Sequence, residues 1–176
     1  MEYIDIVDNK GIPVGEVKSR DIVHCEGHLH RHVHVWITNS NGEVLLQKRS
    51  KIKKLYPNMW AMSAEGPVPS GSTPEDTVIT EIKEELGLEV NPKDIKLEFC
   101  YPIGRVKITD DWIDNGINYV YFFKSNIDLK KVTIQKSELS AVKWMDLKKY
   151  KKALERKNST YRKYPQEFPK LFELIS

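Results

Sequence analysis

The chain has 176 residues, 28 Lys and Arg against 25 Asp and Glu, and is 30% charged and 40% hydrophobic. That balance describes one folded domain, residues 1–176, with enough apolar side chains for a core, and excludes a disordered or repetitive chain. No apolar run approaches the ~20 residues that cross a bilayer, so no membrane is expected, and a formal charge of +3 asks for no nucleic acid.

Residues 2–7 alternate as a strand, Asp8-Asn9-Lys10-Gly11 turns it, and Pro13 to Val17 returns. This predicts an N-terminal β-hairpin over about 1–18, placed to cap one side of a pocket. The opening residues lack a basic start and an apolar signal core, so a cytoplasmic protein without an export signal is expected. Arg20 to Cys25 suits a short helical turn. Cys25 and Cys100 are too few for a disulfide framework and read as thiols in a reducing compartment.

All five histidines follow closely: His24, His28, His30, His32 and His34. The last four alternate, so a strand would put them on one face and Leu29, Val33, Val35 and Ile37 on the other. With no Cys or carboxylate recurring locally, they read as a polar strand face rather than a metal site. Trp36–Thr38 and Glu43–Lys48 flank the turn Asn39-Ser40-Asn41-Gly42, and a basic stretch, Lys48, Arg49, Lys51, Lys53 and Lys54, comes next. Met59–Ala64 reads as a short strand leading to Gly66.

The second half of Gly66–Leu88 is a helix by every local signal. Thr73 suits the N-cap, Pro74 the first turn, Asp76 a capping box, and Gly87 the stop. Val78, Ile79, Ile82 and Leu86 share one arc, and Glu81, Glu84 and Glu85 the next. Like charges so spaced repel by a few tenths of a kcal/mol, a cost that a hard divalent cation with oxygen ligands removes.

Further on, Ile95–Tyr101 and Ile117–Phe123 read as strands around an acidic loop at Thr109–Gly116. Glu138 precedes a short strand at Val142–Trp144. C-terminal helices are expected over about 146–175, one capped by Asp146 and running to Lys157, the last at Pro165–Ile175. The Lys-rich stretch 148–163 reads as a solvated helix face.

The Gly66–Leu88 segment resembles the Nudix box, G-x5-E-x7-R-E-U-x-E-E-x-G-U with U a bulky aliphatic residue. Gly66, Glu81, Ile82, Glu84, Glu85, Gly87 and Leu88 match it; Ser72 and Thr80 stand where the family has a Glu and an Arg that brace the segment. The resemblance implies an α/β fold, a Nudix-type α/β/α sandwich with a mixed β-sheet. It also implies a hydrolase that cleaves the pyrophosphate of a nucleoside diphosphate linked to another moiety. By the same carry-over Glu84 and Glu85 bind Mg²⁺ or Mn²⁺, Glu81 is a further ligand or the base, and the Glu65 backbone carbonyl completes the metal set. Glu138 is a second candidate base. Arg49 and Lys48 are candidates to hold phosphate, and Trp36, Trp112 and Tyr119 to stack on a planar group. The implied partner is a small-molecule diphosphate, with the protein a monomer or homodimer.

Leu29–Trp60 is also similar to the opening of isopentenyl-diphosphate isomerases, a branch of the same superfamily, with His30 on one of their metal-binding histidines. Glu65 stands where that branch has its catalytic Cys, and Pro67 where it has another metal-binding His. Isomerase activity is therefore not expected, and a non-catalytic Nudix-fold binding module is the third alternative.

Overall fold

Val33, Val35 and Ile37 alternate with His32, His34 and Trp36, and the strand they build, β3 (His30–Thr38), is the axis of the fold. The structure is a computed structural model that describes residues 1–156 and 160–173. Before β3 come β1 (Tyr3–Val7), β2 (Pro13–Ser19) and α1 (Arg20–Glu26), and the antiparallel β1–β2 hairpin forms its own two-stranded sheet. After it come β4 (Glu43–Arg49), β5 (Trp60–Ala61), β6 (Ala64–Pro67) and α2 (Pro74–Leu86). The chain continues through β7 (Lys96–Thr109), β8 (Trp112–Lys124), β9 (Leu139–Asp146), α3 (Leu147–Leu154) and α4 (Phe168–Glu173).

The main sheet runs β5-β4-β3-β8-β7, with β6 added to β3 and β9 to β4. The β3–β8 pair is parallel and the others antiparallel, which makes the sheet mixed. One face packs Val33, Val35, Ile37, Tyr121 and Phe123 against Val78, Ile82 and Leu86 of α2. The other packs Trp36, Val120 and Phe122 against Leu147, Tyr150 and Leu171 of α3 and α4. Each such side chain, fully buried, contributes about 1.5–3 kcal/mol, so the alternation in β3 and β8 is what commits the chain to a helix layer on each side. No helix among the described residues is long and apolar enough to cross a membrane.

Two expectations change. Met59–Ala64 is not one strand, because Ser63 wedges between β3 and β4 where they splay apart. Its N–H donates to the Val35 carbonyl (3.0 Å), and its hydroxyl donates to the Leu45 carbonyl (2.7 Å) and accepts the Ile37 N–H (2.8 Å). The chain kinks there, ending β5 and starting β6. Thr109–Gly116 is not a loop either: Asp110 and Asp111 alone turn the chain, and Thr109 pairs with Trp112. A two-residue turn lets the ladder run on, and Trp112 and Ile113 suit a strand, so the acidic residues sit on a long ribbon.

Smaller differences lie at the ends. The strand expected at Val142–Trp144 extends to Leu139–Asp146. The Asp146 carboxylate does cap α3, accepting the Lys149 N–H at 2.8 Å. That helix closes at Leu154, and Lys157 lies outside the described residues. The last helix begins at Phe168, after a turn through Pro165, and Ile175 also lies outside them.

Candidate active site

Helix α2 delivers the acids. The Asp76 N–H donates to the Thr73 hydroxyl oxygen (3.1 Å), and that hydroxyl donates to the Asp76 carboxylate (2.7 Å), so the acid closes the cap through the side chain rather than the backbone. Val78, Ile82 and Leu86 are buried and fix the helix's rotation, leaving Glu85 buried, Glu81 half-buried and Glu84 exposed. Gly66 is there for space: a Cβ on it would lie 2.2 Å from Glu81 Oε1.

Two of these acids, Glu81 and Glu85, have a raised affinity for protons in the fold. Burial, then the neighbouring Glu84, pushes Glu81 up to about 8. Burial, then Glu81, Glu65 and Glu138, raises Glu85 well above the carboxylate range. The Glu85 carboxylate accepts from neutral donors, Gln47 Nε2 at 3.3 Å and the Glu65 backbone N–H, and among the described residues no ion pair reaches any of the three acids. Two crowded, poorly compensated carboxylates with a third beside them fit the donor set of a hard divalent ion.

The missing Glu–Arg brace has a substitute. Arg31 donates to the Asp5 carboxylate and to the Ser72 carbonyl, both at 3.3 Å, tying the box loop to β1. Thr80 donates its hydroxyl to the Asp76 carbonyl, a bond within its own helix.

Opposite the acids lies a cationic wall. The Glu65 carboxylate accepts from Arg49 at 2.9 Å and from Arg162 at a still shorter distance. Burial works to raise Glu65, but the two guanidiniums outweigh it and hold it near 2. Arg49 also donates to the Leu55 carbonyl (3.1 Å), and Arg162 lies over the Tyr56 ring at 4.4 Å. Tyr56 itself has a φ of 50°, the left-handed region that an aromatic residue adopts only when its surroundings hold it there. Behind this wall Glu167, fully buried, accepts from His34 Nδ1, Trp36 Nε1 and Tyr101 Oη, each at 2.6 Å. Its carboxylate is lowered: burial opposes this, and the His34, Tyr101 and Trp36 contacts prevail.

The two walls enclose a cleft of ≈ 520 Å³ into which Glu65, Glu81, Glu84, Glu85, Arg49 and Glu138 all open. The sequence reading placed these six together. Glu138 pairs there with Lys53. Lys48 is corrected: alternation along β4 turns it to the other face, with Nζ 5.9 Å from the centre of the Trp60 ring. Trp36 is buried in the core on the α3–α4 side and Tyr119 packs against the core on the α2 side, whereas Trp112 does line the cleft. The N-terminal hairpin reaches the cleft through Glu2. Arg162 and Glu167 were not predicted. Arg162 falls inside the lysine-rich stretch 148–163, which at this residue is a cleft wall and not a solvated helix face, and Glu167 lies just after it. They meet Glu65 and His34 across 97 and 133 positions, a relation that no local pattern carries.

Comparison with known proteins identifies the family and the fold. The family model of the NUDIX domain matches residues 28–168. Nudix hydrolase 3 of Arabidopsis thaliana is 35% identical over 99% of this chain, which spans only 23% of that protein's length. An isopentenyl-diphosphate Delta-isomerase of Shigella boydii is 28% identical over 83% of this chain and 78% of its own. The crystal structure of DR0079 from Deinococcus radiodurans superposes with a TM-score of 0.71 at 20% identity, covering 99% of this chain and all of that one, a likeness of fold.

Proposed function

This chain belongs to the Nudix family, as a hydrolase of the Nudix type, and from that premise we propose that it cleaves the pyrophosphate bond of a nucleoside diphosphate linked to another moiety, using Mg²⁺ or Mn²⁺. The observation that carries the reading is the pairing of walls: three acids that crowd one another without a cation, facing two arginines already aimed by one carboxylate.

Glu84 and Glu85 would hold the metal, together with the Glu65 carbonyl. Bound there, the ion supplies charge neutralisation for the phosphate oxygens and a site for the attacking water. Glu81, on the same helix face as Glu84 and Glu85, is the candidate to accept that water's proton once a bound cation favours its ionised form. Glu138 is the second candidate and is held by Lys53. As the new P–O bond forms, the anhydride P–O bond breaks and the leaving phosphate takes the electron pair. Arg49 and Arg162 would steady the diphosphate, guanidinium being the side chain whose fork matches phosphate oxygens. We also read the chain as one domain, since both core clusters draw on strands from the length of the main sheet.

The isomerase alternative needs a thiol in the cleft. Cys25 and Cys100 are exposed and are not among the described residues lining it.

The test is a panel of sugar nucleotides, dinucleotides and coenzyme A with Mg²⁺, Mn²⁺ or chelator. Metal-dependent turnover is expected, falling by about 100-fold or more in Glu84→Gln or Glu85→Gln. A variant that keeps near-normal turnover removes the assignment. Absence of both turnover and Mn²⁺ binding would make the protein a non-catalytic module. Conversion of isopentenyl to dimethylallyl diphosphate would make it an isomerase.

A further inference from the structure

Three imidazoles converge on elements other than the acidic helix α2. His24 comes from α1 and His30 and His32 from alternate positions of β3, and one ligand atom from each lies within 4.8 Å of the other two. His28, expected on the same strand face, falls before β3 and pairs instead with Glu26 at 2.5 Å.

The fold sets the tautomers of two rings. His24 Nδ1 is 2.9 Å from the Arg20 carbonyl oxygen, and His30 Nδ1 is 2.9 Å from that of His28. A carbonyl only accepts, so each Nδ1 carries the hydrogen and each Nε2 keeps its lone pair. Backbone carbonyls holding Nδ1–H in this way are the usual support behind a metal-binding imidazole. His30 Nε2 and His32 Nε2 are 2.9 Å apart, so His32 bridges to it with a proton that a cation would displace. Nearby, Asp114 Oδ1 lies 3.9 Å from His24 Nε2 and accepts from Trp112 Nε1 at 2.9 Å.

We propose that His24, His30 and His32 form a second metal site, specific for a divalent transition ion such as Zn²⁺, with Asp114 as fourth ligand. Neutral nitrogen donors select such ions, whereas the acids of α2 select harder ones, so the two sites differ in kind. Tetrahedral ligands with arms of ~2.0–2.1 Å stand ~3.3 Å apart, which His30 and His32 at 2.9 Å nearly satisfy and the His24 atom, within 4.8 Å of both, reaches by closing at most about 1.5 Å. Burial keeps the rings in their ligand form, with His24 and His30 lowered to about 4 and His32 lowered well below the ordinary imidazole value. Arg20, a cation facing the cluster, is paired with Glu2 at 2.9 Å. His24 and His32 line the cleft, which gives an ion its way in. The set differs from the one that the isomerase resemblance implies, where Pro67 now stands in place of a histidine. The proposal does not depend on the hydrolase reading.

The test uses the full chain, stripped of metal and titrated with Co²⁺, then Zn²⁺, followed by visible absorption and equilibrium dialysis. One Co²⁺ per chain is expected to give an intense tetrahedral ligand-field band that Zn²⁺ abolishes. The band should persist in the double variant Glu84→Gln with Glu85→Gln. It should disappear in His32→Gln and in His24→Asn, with Zn²⁺ affinity down at least about 10-fold, while Mn²⁺ binding is kept. The two substitutions lie on different elements, and circular dichroism identifies any that fails to fold. No band in the wild type, or Zn²⁺ affinity unchanged in a folded histidine variant, would overturn the site and leave ring packing against Trp112 as the cluster's role.

Discussion

Replacing Glu81 by Gln should stabilise the metal-free protein while removing part of its metal site. The carboxyl group is held near 8 in the fold against an ordinary value of about 4.5. At pH 7 the unfolded chain has Glu81 ionised and the folded chain has it mostly protonated. Taking up that proton costs 2.5 pH units at about 1.4 kcal/mol each, or about 3 kcal/mol. Because the folded state binds more protons, stability is full below pH 4.5 and falls as pH rises toward 8. Glutamine has the shape of the protonated acid without this penalty. In a domain of this size ~3 kcal/mol moves the melting temperature by about 6–12 °C. The assay is thermal melting in chelator from pH 5 to 9, repeated with Mn²⁺. The variant should melt higher than wild type at pH 7 and above, converge with it near pH 5, and lose most of the Mn²⁺-induced rise. A variant that melts below wild type in chelator at pH 8 would refute the reasoning, since it would show that the ionised carboxylate is satisfied by the protein itself.

Three further outcomes are expected. Gly66→Ala forces a methyl against the Glu81 carboxyl, so Mn²⁺ affinity measured by calorimetry should drop at least about 10-fold while the fold survives. Arg162→Ala should raise KM more than it lowers kcat, and should cost about 3 kcal/mol in urea denaturation because buried Glu65 loses one of its two cations. Arg31→Ala should destabilise by about 2 kcal/mol, with the loss nearly absent when Asp5→Ala is already in place, as a double-mutant cycle would show.

The acidic helix was legible because everything that defines it is local: a cap, a stop, an apolar arc and three acids at helical spacing between Thr73 and Gly87. The sheet was legible where alternation is strong, as in β3 and β8. It was misread at Ser63, a small polar residue whose three hydrogen bonds to two strands break what looked like one strand. It was misread again at Asp110-Asp111, where acidic residues in a tight turn resembled a loop. The histidine reading missed His24 as a partner of His30 and His32 because the three come from a helix and a strand that only the fold brings together. The cationic wall was half-visible: Arg49 stood out in a basic run, and Arg162 did not.

His34 and Glu167 are joined across 133 positions, and Arg162 reaches Glu65 across 97. Contacts of such separation close late when a chain folds. A nascent polypeptide thus owns its acidic ridge long before it owns the arginine facing it. Until the final segment docks, His34 and Trp36 lack their shared acceptor, and the buried Glu65 carboxylate has Arg49 alone to balance it.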